Sequence, residues 1–189
     1  MSTILFVNAC MRGEKSRTLK LCREYLAEKE NVVEVDLGKL ALVPFDGEAA
    51  GRRADLQKAG AWDDPVFDLA KQFAAADEIV IGAPYWDLSF PAALKTYIEY
   101  VSVCDIAFHY SEQGRAEGLC KAKSLTYITS CGGFVEGANF GYEYLSGIAT
   151  MFGIPETRFV AAEGLDVVEL DVETQMAKAS KTIAKLNGR

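Results

Sequence analysis

With 189 residues, half of them hydrophobic and a quarter charged, the chain has ordinary globular composition and enough length to bury a real core in one domain spanning 1–189. A formal net charge of −7, with lysines scattered and no basic cluster, argues against nucleic-acid binding as a main activity. A single histidine excludes a His-rich metal site, five cysteines without a C-x-x-C fit free thiols in a reducing cytoplasm, and no apolar run reaches membrane-span length.

The first apolar run, Thr3–Asn8, reads as a strand and not as a signal peptide, because no charged leading region or cleavage-like site accompanies it. A helix is expected from about Ser16 to Lys29, then a second strand over Val32–Leu37. Residues 38–64 are the least regular stretch, with room for a short helix. A helix near 65–76 precedes the third strand, Glu78–Ala83. The next helix, near 91–104, opens at Pro91, whose missing N–H suits a first turn, and carries Leu94, Tyr97, Ile98 and Val101 on one face. An irregular excursion over 105–123 leads to the fourth strand, Ser124–Ser130. A helix near 141–152, a fifth strand over Arg158–Leu165 and a helix over 172–187 follow. The last helix shows an apolar stripe of Val172, Met176, Ala179, Ile183 and Leu186. Strands that are apolar on consecutive residues, alternating with amphipathic helices, predict an α/β fold: a doubly wound parallel sheet of five strands with helices on both faces, in the flavodoxin-like order 2-1-3-4-5.

Ligands of such a sheet bind beyond the carboxyl ends of its strands, so the loops after strands one, three and four are the places to look for chemistry. After strand one, a helix starting at Ser16 or Arg17 directs free amides and its positive dipole end into the crevice, with Ser16 and Thr18 hydroxyls and the Arg17 charge beside them. That constellation suits a phosphate; the plainer alternative makes Ser16 an N-cap and nothing more. Neither G-x-G-x-x-G nor G-x-x-x-x-G-K-[ST] is present, so a Rossmann or P-loop grip is unsupported. After strand three, Pro84-Tyr85-Trp86-Asp87-Leu88 forms a short platform between a buried strand and a prearranged helix, where flat aromatics suit a planar heteroaromatic ring. Packing on the helix or in a dimer interface explains Trp86 equally well. After strand four, Ser130-Cys131-Gly132-Gly133 offers amides unobstructed by side chains, as a tight turn also would.

Taken together, the S-R-T helix start, the run A-P-Y-W-D-L-S-F-P-A-A-L-K-T-Y-I-E, the S-C-G-G-F loop and the segment Phe108–Lys123 resemble the FMN-dependent NADH azoreductase and NAD(P)H:quinone oxidoreductase family over nearly the whole chain. The resemblance implies non-covalent FMN, its phosphate on Ser16, Arg17 and Thr18 with Cys10 nearby. It sets the isoalloxazine against Pro84, Tyr85, Trp86, Asp87 and Leu88, and its polar edge at Ser130, Cys131, Gly132 and Gly133. It further implies a homodimer, NADH or NADPH as reductant, and ping-pong hydride transfer with two electrons passed to a quinone, azo compound or similar aromatic acceptor. Cys10, Cys131 and Asp87 depart from the family's usual residues, which bears on the acceptor more than on the cofactor.

No acid–base side chain is required by such chemistry. His109 and Tyr110 are candidate acceptor contacts, with a structural role the plainer reading for a lone loop histidine. A non-enzymatic flavodoxin-type electron carrier is the competing function, compatible with the acidic charge but lacking the T-x-T-G-x-T loop; a binding or regulatory module is a third.

Overall fold

The computed structural model describes residues 2–188; Met1 and Arg189, the ends of the domain expected over 1–189, lie outside the described residues. The strands are β1 (Ile4–Asn8), β2 (Val32–Asp36), β3 (Glu78–Gly82), β4 (Phe108–Tyr110), β5 (Ala116–Gly118), β6 (Ser124–Ser130) and β7 (Glu156–Ala162). The helices are α1 (Arg17–Leu26), α2 (Gly47–Lys58), α3 (Asp68–Ala75), α4 (Ala92–Val101), α5 (Phe140–Met151) and α6 (Val172–Leu186). Five strands pair in parallel in the spatial order β2-β1-β3-β6-β7, which is the 2-1-3-4-5 order expected once the separate β4–β5 hairpin is set aside.

Strand alternation divides the core between the two faces. Leu5 and Val7 of β1 join Ile79, Ile81, Leu125 and Tyr127 in a cluster with Phe73 of α3, Leu94 and Tyr97 of α4, and Leu145 and Ala149 of α5. Ile4 and Phe6, pointing the other way, join Val80, Ile128 and Val160 in a cluster with Leu19, Cys22 and Tyr25 of α1 and Ala179 and Ile183 of α6. Both faces are therefore covered, as the uninterrupted apolar strands require.

Two irregular stretches acquire structure that the sequence pattern conceals. Within 38–64 lies the twelve-residue helix α2, longer than the short helix expected there. It buries no residue of its own, so it carries no apolar stripe to announce it. It is held by the Asp46 cap on Ala49 N–H (2.8 Å), by Arg53 Nη1 donating to Glu99 O (2.8 Å), and by Arg53 lying over the Phe45 ring at 4.4 Å. Within 105–123, β4 and β5 form an antiparallel hairpin, with Phe108 opposite Gly118. Lys121 N–H donates to Ala74 O, Lys123 N–H to Asp77 O, and Cys120 N–H to Phe152 O. These contacts fix the hairpin's base at the amino-terminal edge of the sheet, where β3 begins and α5 ends.

The fifth strand of the sheet, β7, spans Glu156–Ala162 and not Arg158–Leu165. Glu163–Leu165 leave the ladder, for a reason that the site makes clear. Gly118 is a tight constraint: a Cβ there would lie 1.9 Å from Phe152 C and 2.0 Å from Gly153 N, both backbone atoms. Gly51, in contrast, sits within α2 with nothing inside 4 Å of a Cβ. Gly118→Ala is expected to destabilise the fold by about 1–3 kcal/mol through overpacking. Gly51→Ala should stabilise it by about 0.5–1 kcal/mol through helix propensity. Denaturant melts of the two variants beside the parent test the pair of signs.

Candidate active site

The floor of the site begins where β1 ends. Asn8 Oδ1 accepts the Cys10 amide at 2.9 Å, turning the chain through a short 3-10 segment, Gly13–Lys15, into α1. Ser16 is the N-cap, its Oγ accepting from Leu19 N–H at 3.2 Å. That bond leaves the amides of Arg17 and Thr18 without an acceptor among the described residues. Ser16 thus caps the helix, as the plainer reading held. Free amides, the dipole end of a ten-residue helix and an adjacent guanidinium make this corner favourable for an anion.

The other walls are tied to this corner by specific bonds. Thr18, fully buried, brings its Oγ1 to 2.6 Å from Ser130 Oγ at the end of β6. Tyr85 N–H donates to Ser130 O at 3.0 Å, joining the β3 loop to the β6 loop, and Tyr85 OH donates to Ala138 O at 2.8 Å. Past β6 the backbone pairing runs on: Cys131 N–H to Ala162 O, Leu165 N–H to Cys131 O, Asp166 N–H to Gly132 O and Gly164 N–H to Gly133 O. Those bonds draw Glu163–Asp166 out of the β7 ladder and over the β6 loop, which explains the early end of that strand. Arg17 completes the ring, with Nη1 on Leu165 O at 3.0 Å and Nη2 on Asp166 Oδ1 at 2.9 Å.

The result is a cleft of about 160 Å³ at the carboxyl rim of the sheet. Of the residues singled out from sequence, Ser16, Arg17, Thr18, Pro84, Tyr85, Trp86, Ser130, Cys131 and Gly132 line it. Cys10, Asp87, Leu88 and Gly133 do not line it. Cys10 lies beneath, 5 % exposed, its Sγ donating to Gly82 O at 3.5 Å. Asp87 and Leu88 are exposed at the tip of their turn, and Gly133 has open space around its Cα. His109 and Tyr110 sit on the β4–β5 hairpin at the opposite edge, separated from the rim by the length of α5, roughly 18 Å. Within one chain they do not meet the cleft, and His109 pairs with Glu117 at 3.0 Å instead. Burial pushes the Cys131 thiol up to about 11, so it is protonated near neutrality and a poor nucleophile. Among the described residues no group of three or more His, Cys, Asp or Glu is placed to hold a metal ion, and no helix is long and apolar enough to cross a membrane.

Sequence reading missed three lining residues: Arg12, Leu165 and Asp166. Arg12 adds a second cation at the mouth. Leu165 was read as the end of a strand. The carboxyl-edge rule applies to the loop after the fifth strand too, and was the one available signal for Asp166. Gly132 also acquires a second reason: a Cβ there would lie 2.4 Å from Asp166 Oδ2.

The aromatic loop is strained. Trp86 and Ser89 exchange both backbone hydrogen bonds, at 3.2 and 2.8 Å, across a two-residue turn in which Asp87 and Leu88 have φ of 50° and 65°. Positive φ at both central positions is the type I′ signature, which favours Asn-Gly and penalises Leu. The turn leaves Trp86 40 % and Leu88 50 % exposed on the rim. Replacing Asp87-Leu88 with Asn-Gly should raise stability by about 1–2 kcal/mol as the left-handed strain is relieved. Thermal melts check this; an unchanged or lower midpoint would show that the turn is not strained as its φ angles indicate.

Comparison with known proteins agrees with this architecture. A family described as having a flavodoxin-like fold matches residues 2–186. The chain is 40 % identical over 185 residues to FMN-dependent NADH:quinone oxidoreductase 2 of Clostridium acetobutylicum, covering 92 % of both chains. It is 33 % identical over 198 residues to FMN-dependent NADH:quinone oxidoreductase of Coprothermobacter proteolyticus, covering 98 % of both. The crystal structure of azoreductase from Bacillus anthracis str. Sterne superposes with a TM-score of 0.87 at 25 % identity over 98 % of each chain. The chain belongs to the flavodoxin-like fold family, among its oxidoreductases.

Proposed function

We propose that the cleft binds FMN and that the protein is an FMN-dependent NADH oxidoreductase passing two electrons to quinones, azo compounds or related aromatic acceptors by a ping-pong sequence. The observation that carries the reading is the convergence of three rim loops on one anion-binding helix start. The relatives named for FMN, NADH and quinone support it at 40 and 33 % identity.

The residues present fit this cofactor. The unpartnered amides of Arg17 and Thr18, with the guanidinium beside them, are a phosphate cradle. A cleft of about 160 Å³ is smaller than a typical small-molecule pocket, so it suits the phosphate and sugar-like chain while a flat ring system extends along the rim. Pro84, Tyr85 and Trp86 form one side of that rim. The amides of Gly132 and Gly133 have no acceptor among the described residues and are available to a polar ring edge on the other.

FMN, when bound, supplies the two-electron redox chemistry between nicotinamide and acceptor. The chain's own contribution is to position and shelter. Tyr85 is held at both its amide and its hydroxyl, so the platform is rigid. Trp86 presents a flat apolar surface against which aromatic reductant and acceptor stack in turn. Asp87, exposed and outside the cleft wall, is placed away from this surface. Trp86, Leu88 and Phe134 on rim loops and Phe140 at the start of α5 expose 40, 50, 58 and 53 % of their surface. This apolar rim supports a homodimer in which a second copy covers the site. The five free thiols support a cytoplasmic setting.

Titrating FMN into the protein, then recording absorbance before and after anaerobic NADH, tests the assignment, and steady-state NADH oxidation with a quinone separates an enzyme from an electron carrier. A colourless protein that takes up no flavin would sink it. Ser16→Ala is a poor probe, because losing the N-cap costs about 1 kcal/mol of folding stability on its own. Arg17→Ala is cleaner: it should weaken FMN binding about tenfold, the worth of one charge-assisted hydrogen bond, with little effect on riboflavin, which lacks the phosphate.

A further inference from the structure

We propose that Asp166 is a specificity-determining residue: a counter-anion built into the cleft that weakens the grip on a phosphate monoester and leaves recognition of the rest of the ligand untouched. The inference rests on the flavin reading above and deepens it.

Its carboxylate stands in the cleft wall between Arg17 and the β6 loop. Arg17 Nη2 donates to Asp166 Oδ1 at 2.9 Å, while Oδ2 lies over Gly132, 2.4 Å from the place a Cβ would take. The Asp166 amide donates to Gly132 O at 3.0 Å, so the backbone holds the carboxylate at that station. A phosphate arriving at the free amides of Arg17 and Thr18 therefore meets a guanidinium already shared with a carboxylate. It also meets the carboxylate's own negative charge. Arg17 has a second anchor, the Leu165 carbonyl at 3.0 Å, which is neutral and places the guanidinium without competing for it.

Exchanging the carboxylate for an amide thus keeps Arg17 in place and removes the opposing charge. The Asp166 side chain is 68 % exposed, so solvent and salt limit the gain. Asp166→Asn should tighten FMN binding about two- to fivefold, within the range expected of a screened surface charge.

The test titrates flavin-free wild type, Asp166→Asn and Asp166→Glu with FMN and with riboflavin, following flavin fluorescence at two salt concentrations. The expected result is a lower FMN Kd for Asp166→Asn, an unchanged riboflavin Kd, a difference that shrinks at higher salt, and Asp166→Glu near wild type. An FMN Kd that is unchanged or raised in Asp166→Asn overturns the proposal. So does an equal change for riboflavin, which would assign Asp166 a packing role. A wild type that binds riboflavin as tightly as FMN removes the phosphate cradle and this inference with it. A wild type that binds neither removes the flavin reading itself.

Discussion

The site depends on four consecutive residues, Ser130–Gly133. Ser130 accepts the Tyr85 amide on its carbonyl and shares a hydroxyl–hydroxyl hydrogen bond with Thr18. Cys131, Gly132 and Gly133 carry the backbone pairing beyond β6 and draw Leu165 and Asp166 over the cleft. Arg17, bonded to both of those residues, is placed by the same segment at one remove. One short stretch at the end of a central strand therefore registers three other pieces of chain that are far apart in sequence. The bonds are mostly backbone to backbone, so this register tolerates change in side chains more than change in loop length.

The sheet separates two kinds of work by its ends. At the carboxyl rim the amides of Arg17, Thr18, Gly132 and Gly133 have no acceptor among the described residues. At the amino-terminal edge the β4–β5 hairpin is packed tightly, with Gly118 against the Phe152–Gly153 backbone and Phe108 stacked on Phe152 at 6.1 Å. Positive φ at non-glycine residues occurs at both ends: Asp87 and Leu88 lie beside the cleft, Asn31 just ahead of β2, and Asp105 between α4 and β4.

Charge in the cleft is balanced rather than maximised. Arg12 and Arg17 line the cleft, and Asp166 shares their wall. An ion pair as exposed as Arg17–Asp166 contributes little to folding. Cys131 in the same wall stays protonated because burial disfavours its thiolate.

The five parallel strands, their spatial order and the helix start at Ser16–Thr18 were legible because apolar runs and N-cap residues are local signals. So were the aromatic loop and the Ser130–Gly133 turn, because ligands of parallel sheets bind beyond the carboxyl ends of the strands. The full length of helix α2, where only a short helix was expected, was not legible because polar bonds and a cap hold it, and these leave no periodic trace. The fold-back of Glu163–Asp166 and the remote seat of His109 and Tyr110 were decided only in three dimensions. Periodicity and capping act within a few residues, so the order of amino acids determines them directly. The pairing of Leu165 and Asp166 with the β6 loop is made by backbone amides that every residue carries, and only the path of the folded chain selects which of them meet.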